Sequence, residues 1–161
     1  MMDYPNYVPA DPPDAALLLT LNQALFAEEG LTAFPLADRQ RAIEMLLDEP
    51  GRWGEIWLIR DGETVVGYTI LTWGFTVELG GPFLLIDELY LRPSHRGRGW
   101  GSTTLDFISD RARFHRGVAL QLEVEHHNTQ ARALYERNGF QPHATRTTLE
   151  LRLDDDSTAA F

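Results

Sequence analysis

The stretch Leu84–Leu105, LLIDELYLRPSHRGRGWGSTTL, constrains this chain more than any other. It reads as an apolar strand, an Arg-Pro step, three glycines interleaved with arginines, and the first turns of a helix. A glycine-rich strand-to-helix turn lets backbone N–H groups approach an anion closely, and the helix N-terminus adds a partial positive charge. Arg96 and Arg98 sit inside the turn, where guanidinium groups pair well with phosphate oxygens. The turn is therefore read as a phosphate cradle. The rest of the chain has to say which phosphate compound, and for what chemistry.

With 161 residues, 43% of them hydrophobic, the chain suits one domain with a sizeable core, taken as 1–161. No apolar run approaches the roughly 18–20 residues that span a bilayer, and Met1–Ala10 has neither a basic nor an apolar leader segment. The expectation is a soluble cytoplasmic protein with no membrane partner. Cysteine is absent, which excludes disulfides, thiolate zinc sites and a cysteine nucleophile. Lysine is absent too: all 14 basic residues are arginine. That removes a Walker-type phosphate loop and any Schiff-base mechanism.

The net charge of −10 argues against nucleic-acid binding. It is unevenly spread. Arg92–Arg116 holds six arginines against Asp106 and Asp110, a local balance of +4 that leaves −14 elsewhere. Two readings stand: an anionic ligand at the basic segment with an acidic surface attracting a cationic second substrate, or ordinary solubilising acidity.

Tyr4–Ala10 suits a first strand. Asp11-Pro12 then reads as a cap and first position of a helix over Pro12–Glu29, with Leu17, Leu18, Leu21, Leu25 and Phe26 at helical spacing. A second helix is expected over Leu36–Asp48. The period then shortens. Glu55–Arg60 and Thr64–Trp73 are strand-like and joined by Asp61-Gly62, with Phe75–Leu79 as an extension past Gly74. Phe83–Leu91 is a longer strand whose mid-run Asp87 and Glu88 suggest a bulge or a polar cleft. A third helix over Gly99–His115, a strand over Val118–Glu125 and a helix over Thr129–Arg137 follow. Asn138-Gly139-Phe140 reads as a Schellman stop, and Thr147–Leu153 as a last strand before a frayed tail, 154–161.

These residues together resemble the GNAT superfamily of N-acetyltransferases. Arg96-Gly97-Arg98-Gly99-Trp100-Gly101 is similar to the family's Arg/Gln-x-x-Gly-x-Gly/Ala pyrophosphate loop, and Ile86–Leu91 to its fourth strand. Asn128-x-x-Ala131-x-x-Leu134-Tyr135-Glu136-x-x-Gly139-Phe140 is similar to its other signature. The resemblance runs from Tyr7 to Leu153. It implies a single α/β (α+β) domain with a mixed, mostly antiparallel sheet, splayed between strands 4 and 5 and flanked by about four helices. It also implies acetyl-CoA as co-substrate and no metal. The backbone from Arg98 to Ser102 is expected to hold the pyrophosphate. Leu89, Tyr90 and Leu91 are expected to line the pantetheine arm, with the Leu89 N–H facing the thioester carbonyl, and Asn128 and Ala131 to contact CoA.

Without cysteine, direct attack in a ternary complex is expected, and the acceptor amine must lose a proton first. Glu88 is the first candidate base; Asp87, Glu123 and Glu125 are alternatives, and a Glu88 paired with an arginine is the competing structural reading. Tyr135 is the candidate acid, because a phenol is protonated at pH 7; a core tyrosine with a satisfied hydroxyl is its alternative. Asn128 suits a helix cap as well as a CoA contact. His126 and His127, adjacent on a strand, point to opposite faces and do not chelate one ion. Phe26, Phe34, Trp53, Trp57, Trp73 and Phe75 are expected around the acceptor side. The leading expectation is acetylation of a small-molecule primary amine. A non-catalytic acyl-CoA-binding module and a protein or peptide acceptor are the rivals, and the oligomeric state is open between monomer and homodimer.

Overall fold

The ring of Pro12 fixes φ beside an acidic cap, and the chain there makes a 3-10 turn, Pro12–Asp14, that runs directly into helix α1, Ala15–Glu29. The Asp11 N–H donates to Asp14 Oδ2 at 2.9 Å. Gly30 ends α1 with φ +69°, and Leu36–Asp48 forms α2. The computed structural model describes residues 3–153. Its remaining elements are strands β1 (Asn6–Pro9), β2 (Gly54–Asp61), β3 (Thr64–Thr76), β4 (Gly81–Leu91) and β5 (Ala119–Leu122). Helices α3 (Trp100–Phe114) and α4 (Thr129–Arg137) complete it.

The five strands lie in chain order, antiparallel throughout except for the parallel pair β4–β5. Period-two alternation gives the sheet two apolar faces. On one face, Ile56, Leu58, Tyr68, Ile70 and Tyr90 pack against Leu18, Leu21 and Leu25 of α1 and Ile43 and Leu47 of α2. On the other, Leu71, Leu84 and Ile86 meet Leu105, Ile108 and Ala112 of α3. Ile108 is fully buried, so truncating it to alanine should cost about 2–5 kcal/mol. Among the described residues no helix is long and apolar enough to cross a membrane.

Two irregularities of β4 position the site. Ile70 lies opposite Glu88 but Leu71 lies opposite Ile86, so Asp87 has no cross-strand partner and forms a bulge. The mid-strand carboxylates predicted this. The parallel ladder to β5 joins Phe83–Ile86 with Ala119–Leu122 and stops there. From Glu88 to Leu91, β4 pairs only with β3, and the sheet splays as expected.

Three expectations need correction. The strand after α3 is shorter than Val118–Glu125, because the bulge turns β4 away once Leu122 is reached. The extension past Gly74 ends at Thr76, and the residues up to Gly80 form the turn. Thr147–Leu153 forms no strand: its alternating leucines, Leu149, Leu151 and Leu153, are 84–90% exposed. Alternation marks a strand only where one face is buried, and here side chains tether the segment instead, Arg146 to Glu78 and Thr148 to Glu123. The tail 154–161 lies outside the described residues.

Candidate active site

The splay opens a cavity of about 650 Å³ between β4, the glycine turn and α4. Gly97 and Gly99 take φ of +75° and +84°, a conformation that opposes a side chain. Gly99 is the residue before α3, so the free N–H groups of Trp100, Gly101 and Ser102 emerge at the cavity lip. A Cβ on Gly101 would sit 2.9 Å from Leu134 of α4, so this glycine sets how closely the two helices approach. Asn138 ties them further by donating to Ser102 Oγ at 3.0 Å.

Leu89, Tyr90, Leu91, Arg96, Gly97, Gly99, Gly101, Ser102, Asn128, Ala131 and Tyr135 all line this cavity. Arg98 and Trp100, expected at the same site, do not line it. The Trp100 ring is buried against Ile59, Val66 and Leu91, and its Nε1–H donates to the Asp3 carbonyl. The Arg98 side chain turns outward to the Ser94 carbonyl and Asp3. Arg96 does reach the cavity, held by Leu91 and Glu28: its Nε–H donates to the Leu91 carbonyl at 2.7 Å, and NH2 contacts both carboxylate oxygens of Glu28.

Backbone direction along β4 follows from two bonds. The Arg92 N–H donates to Val66 on the β3 side, and the Leu91 carbonyl is reached by Arg96 from the other side. Alternation then points the Leu89 and Leu91 N–H groups into the splay.

Tyr135 is half-buried, packs edge-on against Phe140 at 5.7 Å, and its hydroxyl has no hydrogen-bond partner among the described residues. A core tyrosine would have its hydroxyl satisfied. Burial, followed by the charge of Glu29, pushes its pKa up to about 12. Asn128 caps α4 by accepting from the Ala131 N–H at 3.2 Å, and its Nδ2 donates to Glu29. Gly139 takes φ +90° while the Phe140 N–H returns to the Tyr135 carbonyl, the predicted stop.

Glu88 faces the other way, into a second cavity of about 230 Å³ between β4, α1 and α2. No arginine touches it. Tyr68 Oη donates to Glu88 Oε2 at 2.6 Å, and Asn22 Nδ2 donates to both oxygens. Burial raises its pKa; the Tyr68 and Asn22 hydrogen bonds counter this in part, and Asp87 pushes the same way as burial. Asp87 lines the same cavity and is likewise raised, by burial and then by Glu123. Glu123 lies in the larger cavity instead, and its carboxylate accepts from Thr148. Of the aromatics expected around the acceptor, Phe34 lines this second cavity and Phe26 lies edge-on to it. Trp57 and Trp73 pack on the α3 face, and Trp53 and Phe75 are largely exposed.

Asn22, Arg39, Glu28 and Glu29 escaped the sequence reading. Asn22 had left a signal: it sits within the buried stripe of α1 beside Leu18, Leu21 and Leu25, where a polar residue needs a partner.

A family profile described as Acetyltransferase (GNAT) family matches residues 18–140. The chain belongs to that family. It is 30% identical over 86 residues to the uncharacterized N-acetyltransferase YhfO of Bacillus subtilis (strain 168), covering 53% of this chain. The match spans 58% of that curated relative's length. The GNAT domain here also superposes on the integron cassette protein HFX_CASS3 from the mobile metagenome of Cole Harbour Salt Marsh. That pair has 32% identity and a TM-score of 0.76, covering 92% of this chain and 90% of the other. A predicted acetyltransferase from Clostridium acetobutylicum, solved with acetyl-CoA, shares the fold at 19% identity and a TM-score of 0.75, covering 91% and 96%.

Proposed function

We propose that this GNAT protein is an acetyl-CoA-dependent N-acetyltransferase that modifies the primary amine of a small molecule by direct attack in a ternary complex. One observation carries the reading: the two cavities meet at a single peptide step. Leu89 lines the larger and Glu88 the smaller, so a donor lying along β4 and an acceptor beneath α1 and α2 converge at the bulge. The larger cavity fits acetyl-CoA in its chemistry, with helix N–H groups and Arg96 for the pyrophosphate and an open strand edge for the pantetheine amides.

Acetyl-CoA bound there supplies the acetyl thioester. An alkylamine of pKa ~10.4 stands about 3.4 units above pH 7, so presenting it neutral costs roughly 4.6 kcal/mol. Glu88, buried and raised in pKa, takes that proton directly or through a water. The Leu89 N–H donates to the carbonyl oxygen as negative charge grows on it. Attack on the acetyl carbon would form the C–N bond and break the C–S bond; the Tyr135 hydroxyl would give its proton to the leaving sulfur, the second proton shed by nitrogen would restore the phenol, and Glu88 would return the first to solvent.

The test is to mix the protein with acetyl-CoA and a panel of amino acids, polyamines, aminoglycosides and peptides, and to follow free thiol. Amine-dependent release supports the reading. Binding of CoA without release from any amine would favour a non-catalytic acyl-CoA-binding module.

A further inference from the structure

The acceptor cavity is small and chemically divided. Its volume of about 230 Å³ lies below the ~300–1,000 Å³ of drug-sized ligand pockets. Asp87 and Glu88 stand on its β4 wall and Arg39 on its α2 wall, Asp38 and Arg152 also line it but are paired with Arg41 and Glu150, and Ile43 and Leu46 give it an apolar side. A cavity built only to attract a cationic amine would have no use for a guanidinium.

Arg39 is also unusual for this chain. Ten of the 14 arginines have a carboxylate within 4.0 Å among the described residues, and Arg39 does not. One N–H donates to Asn22 Oδ1 at 2.5 Å, and the guanidinium lies over the Phe26 ring at 4.3 Å. Its Nε is buried with no partner. Its charge is thus held in place by a ring and a carboxamide, with no carboxylate in direct contact among the described residues. If Arg39 served only to hold Asn22, a neutral donor would do the same at lower desolvation cost.

The spacing fits one class of compound. Asn22 bridges Arg39 to Glu88 with a single carboxamide, so cation and carboxylate stand one small polar group apart. The amine and carboxylate of an α-amino acid are separated on that same scale. We infer that the acceptor is a free α-amino acid with an apolar side chain: amine toward Glu88 and Asp87, carboxylate toward Arg39, side chain against Ile43 and Leu46. The inference rests on the transferase reading above. A polycation is disfavoured on two counts, size and repulsion by Arg39.

Matched acceptors test it. L-Leucine should exceed 3-methylbutylamine in kcat/KM by about 10- to 150-fold, the worth of charge-assisted hydrogen bonds to one carboxylate, and L-phenylalanine should exceed 2-phenylethylamine similarly. Arg39→Gln should collapse that ratio and Arg39→Lys should restore part of it, with circular dichroism confirming that each variant is folded. Equal or better turnover of the carboxylate-free amines, or of spermidine, overturns the inference while leaving the transferase reading intact. If no acceptor turns over, the transferase reading fails, and calorimetry with CoA-saturated protein decides the binding claim. Leucine binding that Arg39→Gln abolishes supports the claim; no leucine binding overturns it.

Discussion

Asn22 Nδ2 donates to both carboxylate oxygens of Glu88, at 2.9 and 3.0 Å, across 66 residues of sequence. The bond holds a buried carboxylate without neutralising it, which suits a group that must accept a proton. Replacing Glu88 with glutamine should lower kcat by about 10²- to 10⁴-fold. Since burial raises the Glu88 pKa, activity of the unaltered protein should fall with decreasing pH at a value above the usual glutamate range. The acid limb should be missing from the Glu88→Gln profile, and a retained limb would assign the base elsewhere.

Tyr135 offers a cleaner separation of binding from chemistry. Tyr135 lines the larger cavity, its hydroxyl has no hydrogen-bond partner among the described residues, and its ring is held by Phe140. Tyr135→Phe should keep that packing, leave acetyl-CoA affinity within about threefold, and cut kcat by roughly 10²-fold or more. Stopped-flow binding beside steady-state turnover separates the two effects.

Arg96 pairs with Glu28 at the cavity wall, and in the proposed complex it would be shared with the pyrophosphate. Opening that pair is a cost paid on donor binding, modest because both side chains are more than a third exposed. Glu28→Gln should therefore tighten acetyl-CoA binding by about two- to fivefold. Arg96→Gln should weaken it and flatten its dependence on salt.

Asp87 should reveal itself in stability. Its pKa is raised in the fold, by burial and then by Glu123, so the folded state binds its proton more tightly than the unfolded chain does. Its contribution is thus fully present below the usual aspartate value and is lost as pH rises through the raised one. Asp87→Asn should raise Tm at pH 7 by a few degrees at most, roughly the scale of a screened charge effect, and the gain should vanish near pH 3. Thermal melts of both proteins across that range check the sign.

Local chemistry made much of this fold readable. Helices α2 and α4 run over the predicted residues, α4 because Asn128 caps it and Gly139 stops it within a few residues of sequence. The bulge showed itself through two carboxylates in an apolar strand. What stayed hidden depends on distant contacts. Arg39 looked like any surface helix arginine until Phe26 and Asn22 were brought beneath it. Thr147–Leu153 misled because alternation reports the chance of a buried face and not the presence of a neighbour to bury it.

The early end of the β4–β5 ladder also has a thermodynamic side. The Leu89 N–H is a backbone donor that points into the splay, and acetyl-CoA bound as proposed would satisfy it as a transient further strand. Occupancy would then be written into the sheet itself. The Leu89 amide should exchange with deuterium quickly in free protein and slowly with CoA present, and the melting temperature should climb with CoA concentration by mass action.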